Sequence, residues 1–329
     1  MVAPLGAVAR LALVWGKTLG LMTILLLAAA CSESGTEATT TIPPTTAPPA
    51  ATTSTAPPAT TTTTGPVVPT RAVIEVTGPE EVVFDWTTDQ CEPEHIPDIA
   101  ARAIRDGDGN VQLTIGHYVN YRMIGPSLDE VAPDCTRLLV SDFDPDPSQF
   151  NDSAWLGGLS TADGETIYAI VHNEYRGDTH GAARPGQCPS GRRFTCLDTS
   201  LTMYVSRDGG DSYEPIAPPP NHMVATLPYV FDDEGLPTGL RQPSNIVAGP
   251  DGYHYVFSNV SDYPREDQWV CAMRTDDLAD PGSWRFWTGT DFSGRFINPY
   301  LEDPAGADKC AALALPQLDV SVQEAVVYD

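Results

Sequence analysis

The sequence predicts an all-β fold after its first seventy residues. Segments rich in β-branched and aromatic residues, such as VQLTIGHYV, TIYAIVHNEY, LTMYVS, YHYVFSNV and WVCAMRT, alternate with Gly, Asp, Asn and Pro. Helical periodicity is scarce, and only PEHIPDIAARAIRD (93–106) predicts a helical turn or two. Three strand segments follow an Asp-Gly pair, as in DGNVQLTI, DGETIYAIV and DGYHYVF, which indicates a degenerate internal repeat.

The repeat predicts a β-propeller built of four-stranded blades. Each unit contains a strand, an Asp-Gly hairpin, further strands and an acidic turn, which is the order of elements in a propeller blade. Three such units begin near Val111, Trp155 and Asn245. The acidic turn is clear in YVSRDGGDSY and MRTDDLADPGSW and faint in GPSLDE of the first unit. A β-sandwich with similar turns is the alternative.

The amino-terminal residues 1–30 predict an export signal. Arg10 and Lys17 precede the apolar run LGLMTILLLAAA, which is too short to span a bilayer comfortably. LLLAAAC resembles a bacterial lipobox, and that resemblance implies a Cys31 lipidated on its sulfur and a protein held at the cell membrane. An ordinary cleaved signal peptide or an uncleaved anchor is the alternative.

Residues 31–70 predict a disordered linker. Thr, Pro and Ala dominate the segment, which has no apolar periodicity and little aromatic surface to bury. A Pro-rich linker of this kind extends about 3.1 Å per residue in its polyproline stretches. We therefore expect the propeller domain, residues 71–329, to stand away from the membrane on this tether.

The net charge of -26 falls in residues 71–329, because the two basic and two acidic residues of 1–70 cancel. Nucleic acid is excluded as a partner, since phosphate neutralisation needs clustered Lys and Arg. We expect a monomer whose partner is a glycan or a cell-wall polymer.

Six cysteines follow the linker, and an even number in an exported domain predicts disulfides. Cys188 and Cys196 close the short loop CPSGRRFTC and are expected to pair. The other four allow three connectivities, of which Cys91 with Cys135 and Cys271 with Cys310 keep the loops local.

The turn YVSRDGGDSY places Ser206, Asp208, Gly210 and Tyr213 at the spacing S-x-D-x-G-x-x-aromatic. Asp-Gly and Gly-Gly supply the positive φ angles of a tight turn, and the Asp side chain accepts from the amides of the turn. The pattern resembles the Asp-box of sialidase-type propellers, and MRTDDLADPGSW is similar to the S-x-D-L-x-x-W element of propeller glycosidases. The resemblance implies a structural element that lies away from the catalytic pocket.

The last segment, VSVQEAVVYD, resembles the predicted innermost strands DSAWLGGLS and PSNIVAG, yet no hairpin follows it. A propeller that ends there has unpaired strand edges, which proteins avoid. We therefore expect the propeller to be incomplete at its carboxyl end and the chain to be a truncated form.

In propeller glycosidases the innermost strands line a central channel that holds the acids, and the resemblance implies the same here. Asp152, Glu174 and Glu324 are the predicted catalytic carboxylates, because a pair across a cleft serves as acid and base on a glycosidic bond. His172, Arg241 and Asn245 are the predicted substrate-binding residues. His172 and Glu174 are two residues apart on a strand and share a side. The alternative is that these polar groups only bond loop backbone and one another.

These observations predict a surface lipoprotein whose glycosidase-like propeller binds or hydrolyses glycans. A non-catalytic propeller that binds a protein or cell-wall polymer is the alternative, so whether the protein is an enzyme stays open. The sialidase R-I-P motif is absent from the sequence. DFDPDPSQFND departs from a calcium-binding EF-hand loop, which needs Gly at its sixth place, so we expect no cofactor and leave Ca²⁺ as the alternative at that loop.

Overall fold

The computed structural model describes residues 78–79, 81–180, 188, 195–233, 237–262 and 267–313, all of them in the unit Val76–Asp329. The predicted signal, Cys31, the linker, Glu324 and the predicted incomplete carboxyl end lie outside the described residues. Among the described residues, no helix is long and apolar enough to cross a lipid bilayer.

The described residues are almost entirely β structure, arranged in two sheets of five and eleven strands. The first sheet contains β1 (Arg102–Arg105), β2 (Val111–Gly116), β3 (Val119–Gly125), β4 (Ala132–Pro133) and β5 (Leu139–Val140). The second contains β6 (Ser153–Thr161), β7 (Ile167–Arg176), β8 (Leu197–Ser206), β9 (Glu214–Pro215), β10 (Met223–Ala225), β11 (Thr238–Pro243), β12 (Val247–Ala248), β13 (His254–Asp262), β14 (Asp267–Thr275), β15 (Arg285–Phe286) and β16 (Gly294–Arg295).

Within the part of the chain that the structure describes, helices are few and short. They are α1 (Trp86–Asp89), α2 (Gly177–His180) and the 3₁₀ turns Leu128–Glu130, Pro147–Gln149 and Pro281–Ser283. The helical turn expected in 93–106 is wrong, because residues 102–105 form β1 and residues 93–101 contain no helix. The predicted strand 111–119 is also split, since His117 and Tyr118 form the turn between β2 and β3.

The larger sheet contains two similar antiparallel runs. The first is β6-β7-β8-β9 and the second is β12-β13-β14-β15. β11 joins the runs, because it pairs antiparallel with β13 and parallel with β8 over two residue pairs. No closed propeller is formed within the described residues, and the assignment of these runs as propeller blades stays a prediction.

The Asp-Gly pairs lie at hairpin turns, as the repeat predicts. Gly109, Gly164 and Gly252 have φ angles of 87°, 76° and 83°. These angles belong to the left-handed region that glycine enters without steric cost. In the turn between β1 and β2, the Asp106 carboxylate accepts hydrogen bonds from the backbone N–H of Asp108 and Asn110 at 3.1 and 2.8 Å.

Two apolar clusters lie on opposite faces of β7. Ala169 and Val171 belong to the cluster that contains Leu139 of the first sheet. Ile170 belongs to the cluster that contains Leu240 of β11 and Val260 of β13. Since side chains alternate along a strand, β7 is covered on both faces.

Buried polar side chains join the two sheets. The Arg102 guanidinium on β1 donates to the carbonyl oxygen of Gly157 at 2.6 Å and to that of Pro243 at 2.9 Å. Asn120 on β3 donates to the Ala154 carbonyl and accepts from the Leu156 N–H at 3.0 and 2.9 Å. Three distant parts of the chain therefore meet where β1, β6 and β11 approach one another.

The cysteines of the described residues form three disulfides, Cys91–Cys135, Cys188–Cys196 and Cys271–Cys310. The expected Cys188–Cys196 pair is confirmed. Of the three connectivities left open for the other four cysteines, the structure has the one with local loops. Disulfides persist in oxidising compartments, so these bridges fit an extracellular location.

Candidate functional site

The centre of the candidate site is a pair formed by His172 and Glu174 on β7. The Nε2 atom of His172 lies 3.1 Å from Oε1 of Glu174, and an ionised carboxylate only accepts, so Nε2–H is the donor. Burial raises the pKa of Glu174, but the hydrogen bond from His172 and the charges of Arg176 and Arg241 outweigh it and leave the pKa below its ordinary value. The alternative expected for these residues, that they pair with one another, is therefore present, and Glu174 is ionised at neutral pH.

Aromatic rings surround this pair. Trp155 on β6 is paired in register with His172, and their ring centroids are 5.6 Å apart. The Trp155 ring also lies 5.8 Å from His117 and 5.5 Å from Tyr118. The turn between β2 and β3 thus brings the first sheet to the His172–Glu174 pair, which sequence reasoning missed because it placed His117 and Tyr118 within a strand.

Two carboxylates flank His117. Glu94 Oε2 lies 3.0 Å from its Nδ1, and Asp98 Oδ2 lies 3.8 Å from its Nε2. The Asp98 carbonyl accepts from the side chain of Gln242 on β11 at 3.3 Å. The segment before β1 therefore reaches the same region, where sequence analysis had predicted only a helical turn.

Arg241 approaches the pair from β11. Its Nε donates to the Ser261 hydroxyl at 2.8 Å, and its charge helps to lower the pKa of Glu174. Asn245 lies between β11 and β12, where its carbonyl accepts from the Ser244 hydroxyl at 2.8 Å.

Asp152 lies on the other face of the sheet from Glu174. Ser153 is paired with Glu174, and paired residues share a face whereas consecutive residues alternate. The Asp152 carboxylate accepts from the Arg176 N–H at 2.8 Å and lies 2.9 Å from His180 Nε2. Burial raises the pKa of Asp152, although His180 opposes the shift. The described residues therefore do not bring Asp152 and Glu174 together as an acid–base pair.

The acidic loop before β6 uses its carboxylates in local turns. Asp142 accepts from the Asn151 side chain at 2.7 Å, Asp144 from the Asp146 N–H at 2.9 Å and Asp146 from the Ser148 N–H at 2.9 Å. Within the part of the chain that the structure describes, no cluster of three or more His, Cys, Asp or Glu is arranged to hold a metal ion. Calcium at this loop stays an untested alternative.

No protein-family model matches the chain, and no curated protein matches it. Solved structures resemble its fold weakly. A protein of unknown function from Dyadobacter fermentans is 14% identical with a TM-score of 0.38, over 59% of this chain and 55% of that one. An alpha-L-arabinanase of Penicillium chrysogenum, complexed with arabinobiose, is 8% identical with a TM-score of 0.37, over 60% and 53%.

A sucrose-6-phosphate hydrolase of Lactobacillus gasseri is 15% identical with a TM-score of 0.35, over 60% of this chain and 36% of that one. The chain thus spans about half or less of the length of these three structures.

Proposed function

We propose that this protein binds a glycan at the cluster formed by His117, Trp155, His172, Glu174 and Arg241. The observation that carries the proposal is the Glu174 carboxylate, which is held ionised while 22% of its side chain stays exposed. An ionised, partly exposed carboxylate is a strong acceptor, and the partly exposed rings of His117 and Tyr118, which pack against the buried Trp155, supply the apolar surface. Few ligands other than sugars present both many hydroxyl donors and an apolar ring face.

The chemistry of the cluster favours hydroxyl recognition. A carboxylate has more acceptor sites than His172 alone can occupy, and hydrogen bonds to a charged acceptor are stronger than neutral ones. Arg241 on β11 supplies donors. Asp98, whose side chain is 46% exposed beside His117, offers a second acceptor on the first sheet. Sugar hydroxyls, which donate and accept, suit this mixture.

Binding is supported better than hydrolysis. Glycoside hydrolysis needs one protonated acid opposite an ionised partner. Glu174 is ionised, and Asp152, the acid expected beside it, projects from the other face of the sheet. Hydrolysis with Glu174 as the ionised partner therefore remains the second proposal, and its acid is not among the residues predicted from the sequence.

The test measures binding of the full chain to a panel of oligosaccharides by isothermal titration calorimetry, with reducing-sugar release measured on the same panel. Glu174→Gln should weaken binding about 10- to 100-fold, because a charged acceptor is lost. Glu165→Gln is the matched control, since Glu165 is exposed on the hairpin between β6 and β7. If Glu174→Gln binds like the wild type, the site assignment is wrong.

The same panel separates the competing functions. Release of reducing sugar by the wild type would establish hydrolysis. Binding to purified cell-wall polymer, with no affinity for any soluble oligosaccharide, would favour the non-catalytic alternative over the glycan site proposed here.

The surface location remains part of the proposal and is supported by the lipobox resemblance of LLLAAAC. Metabolic labelling with a palmitate analogue should tag the wild type but not Cys31→Ser. Equal labelling of both proteins would remove the lipid anchor from the proposal.

A further inference from the structure

Phe143 is exposed in a backbone conformation that its side chain disfavours. Its φ angle is 55°, in the left-handed region where a bulky residue is strained, and 46% of the residue is exposed. Phe150, in the same loop, has a φ angle of 51° but is only 4% exposed. Burial offsets the strain at Phe150, whereas Phe143 gains little from burial.

The loop itself imposes the conformation. The Phe143 N–H donates to the Asp152 carbonyl at 3.1 Å, and the Asp144 N–H donates to the Asn151 carbonyl at 3.2 Å. These bonds close the acidic loop at its base, and the Phe143 ring stays partly exposed beside Tyr118. An exposed aromatic ring held in this way is preorganised for contact with a ligand.

A row of rings leads from Phe143 to the candidate site. The Phe143 and Tyr118 centroids are 5.6 Å apart, those of Tyr118 and Trp155 5.5 Å, and those of Trp155 and His172 5.6 Å. Phe143 is therefore connected to His172 through two intervening rings, those of Tyr118 and the buried Trp155.

We propose that Phe143 is a stacking platform for a second sugar of the bound glycan. This inference rests on the proposed function and extends it, because it assigns an oligosaccharide as the ligand. The ring face carries partial negative charge, and the C–H groups on one face of a pyranose or furanose are its complement.

The surroundings of Phe143 favour a sugar over an apolar partner. Asp142 and Asp144 flank the ring in sequence, and Asp142 is exposed. Each carboxylate has more acceptor sites than its one loop hydrogen bond uses. A single ring between carboxylates matches a ligand that alternates C–H faces with hydroxyls, whereas a protein hot spot buries its aromatic residues among apolar neighbours.

The dependence of affinity on oligosaccharide length separates a binding role of Phe143 from a structural one. If Phe143 holds a second sugar, its removal weakens binding of longer oligosaccharides and leaves a monosaccharide unaffected. A general loss of folding would weaken binding of every length alike.

The experiment uses two oligosaccharide series, arabinose to arabinotetraose and glucose to cellotetraose, with affinities measured by calorimetry on the full chain. Phe143→Ala should weaken binding of the tetrasaccharide about tenfold or more and leave the monosaccharide unchanged. Phe143→Tyr should restore the wild-type affinity. Trp86→Ala is the matched control, because Trp86 is an aromatic residue of similar exposure, 43%, on α1.

The outcomes distinguish the two proposals. Tetrasaccharide binding by Phe143→Ala at the wild-type affinity would overturn the platform and leave the glycan site intact. No binding of either series by the wild type would overturn both.

A second measurement tests the strain. Phe143→Gly and Phe143→Ala both lose the ring, but only glycine adopts this φ angle freely. The glycine variant should melt about 2 to 4 °C above the alanine variant. Equal melting temperatures would show that the loop imposes no strain and would remove the argument for a preorganised ring.

Discussion

Two turns lie at equivalent positions in the larger sheet, and each is held by a different set of hydrogen bonds. One joins β8 to β9 and contains Asp208, and the other joins β14 to β15 and contains Asp277. In the first, the Asp208 carboxylate accepts from the backbone N–H of Asp211 and Ser212 at 3.1 and 3.0 Å. It also accepts from the hydroxyls of Ser206 and Ser212 at 2.6 and 2.5 Å.

In the second turn, several groups share the hydrogen bonds that the Asp208 carboxylate alone accepts in the first. The Asp277 carboxylate accepts from the Ala279 N–H at 2.8 Å, while its backbone carbonyl accepts from the hydroxyls of Thr275 and Ser283, each at 2.9 Å. Asp280 caps the 3₁₀ turn through the Gly282 N–H at 2.8 Å. A substitution of Asp277 removes its carboxylate but keeps its backbone carbonyl.

The feature common to both turns is the buried aromatic residue that follows. Tyr213 packs in the cluster shared with the first sheet, and Trp284 packs in the cluster shared with β11 and β13. Each turn therefore needs an aromatic ring that can be buried and acceptors for the turn amides, and a single Asp carboxylate is only one way to supply those acceptors.

The largest effect should come from Trp284→Ala. Trp284 is fully buried, so its truncation should cost about 3 to 5 kcal/mol of unfolding free energy. Tyr213→Ala should cost less, because its ring is smaller and slightly more exposed. Urea denaturation of both variants measures the difference, and a larger loss at Tyr213 would reverse the ranking of the two turns.

Asp208→Ala should lower the free energy of unfolding more than Asp277→Ala. The first removes an acceptor for four donors and should cost about 1 to 3 kcal/mol, whereas the second keeps the backbone carbonyl and should cost about 1 kcal/mol or less. Neither should change the glycan affinity of the folded protein, since both turns are structural. A selective loss of binding by fully stable Asp208→Ala would instead place this turn in the site.

The pH dependence of the Asp208 effect follows from its pKa. Burial raises the pKa of Asp208, but the hydrogen bonds donated by Ser206 and Ser212 outweigh it, so the pKa lies below its ordinary value. The stabilisation is therefore complete above the unfolded pKa of about 3.9 and is lost as pH falls through the folded pKa. The stability gap between wild type and Asp208→Ala should be constant from pH 5 to 7 and narrow in stronger acid.

The smallest effect should come from Tyr213→Phe. The Tyr213 hydroxyl is buried without a hydrogen-bond partner among the described residues. Its removal should leave stability unchanged or raise it by up to about 1 kcal/mol. A loss of more than that in the same denaturation experiment would mean that the hydroxyl has a partner.

Local features of the fold were predictable from the sequence. The glycines of the Asp-Gly pairs adopt positive φ angles, and Cys188 and Cys196, which are eight residues apart, form the expected disulfide. Each of these depends on residues that are close in the chain or restricted in chemistry. The strand boundaries were less predictable, because the β2–β3 turn at His117 and Tyr118 lacks an Asp-Gly pair and contains residues typical of strands.

Only part of the candidate site could be predicted from the sequence. His172 and Glu174 share a side because they are two residues apart on β7, which strand geometry alone requires. The approach of Trp155, His117 and Asp98 depends on how β6, the β2–β3 turn and the segment before β1 pack, and no local pattern specifies that packing. The opposite orientation of Asp152 depends on the register of β6 with β7, and a shift of one residue would reverse it.

The contacts of the Arg102 guanidinium limit the order in which the two sheets can come together during synthesis. Its two carbonyl partners lie 55 and 141 residues further along the chain. At about 5 to 20 residues per second, roughly 7 to 28 s pass between the making of Arg102 and that of its second partner. Throughout that interval the first sheet carries a cation whose native acceptors are incomplete. The contacts with β6 can therefore form first, whereas the contact of Arg102 with β11 can form only after residue 243 has been made.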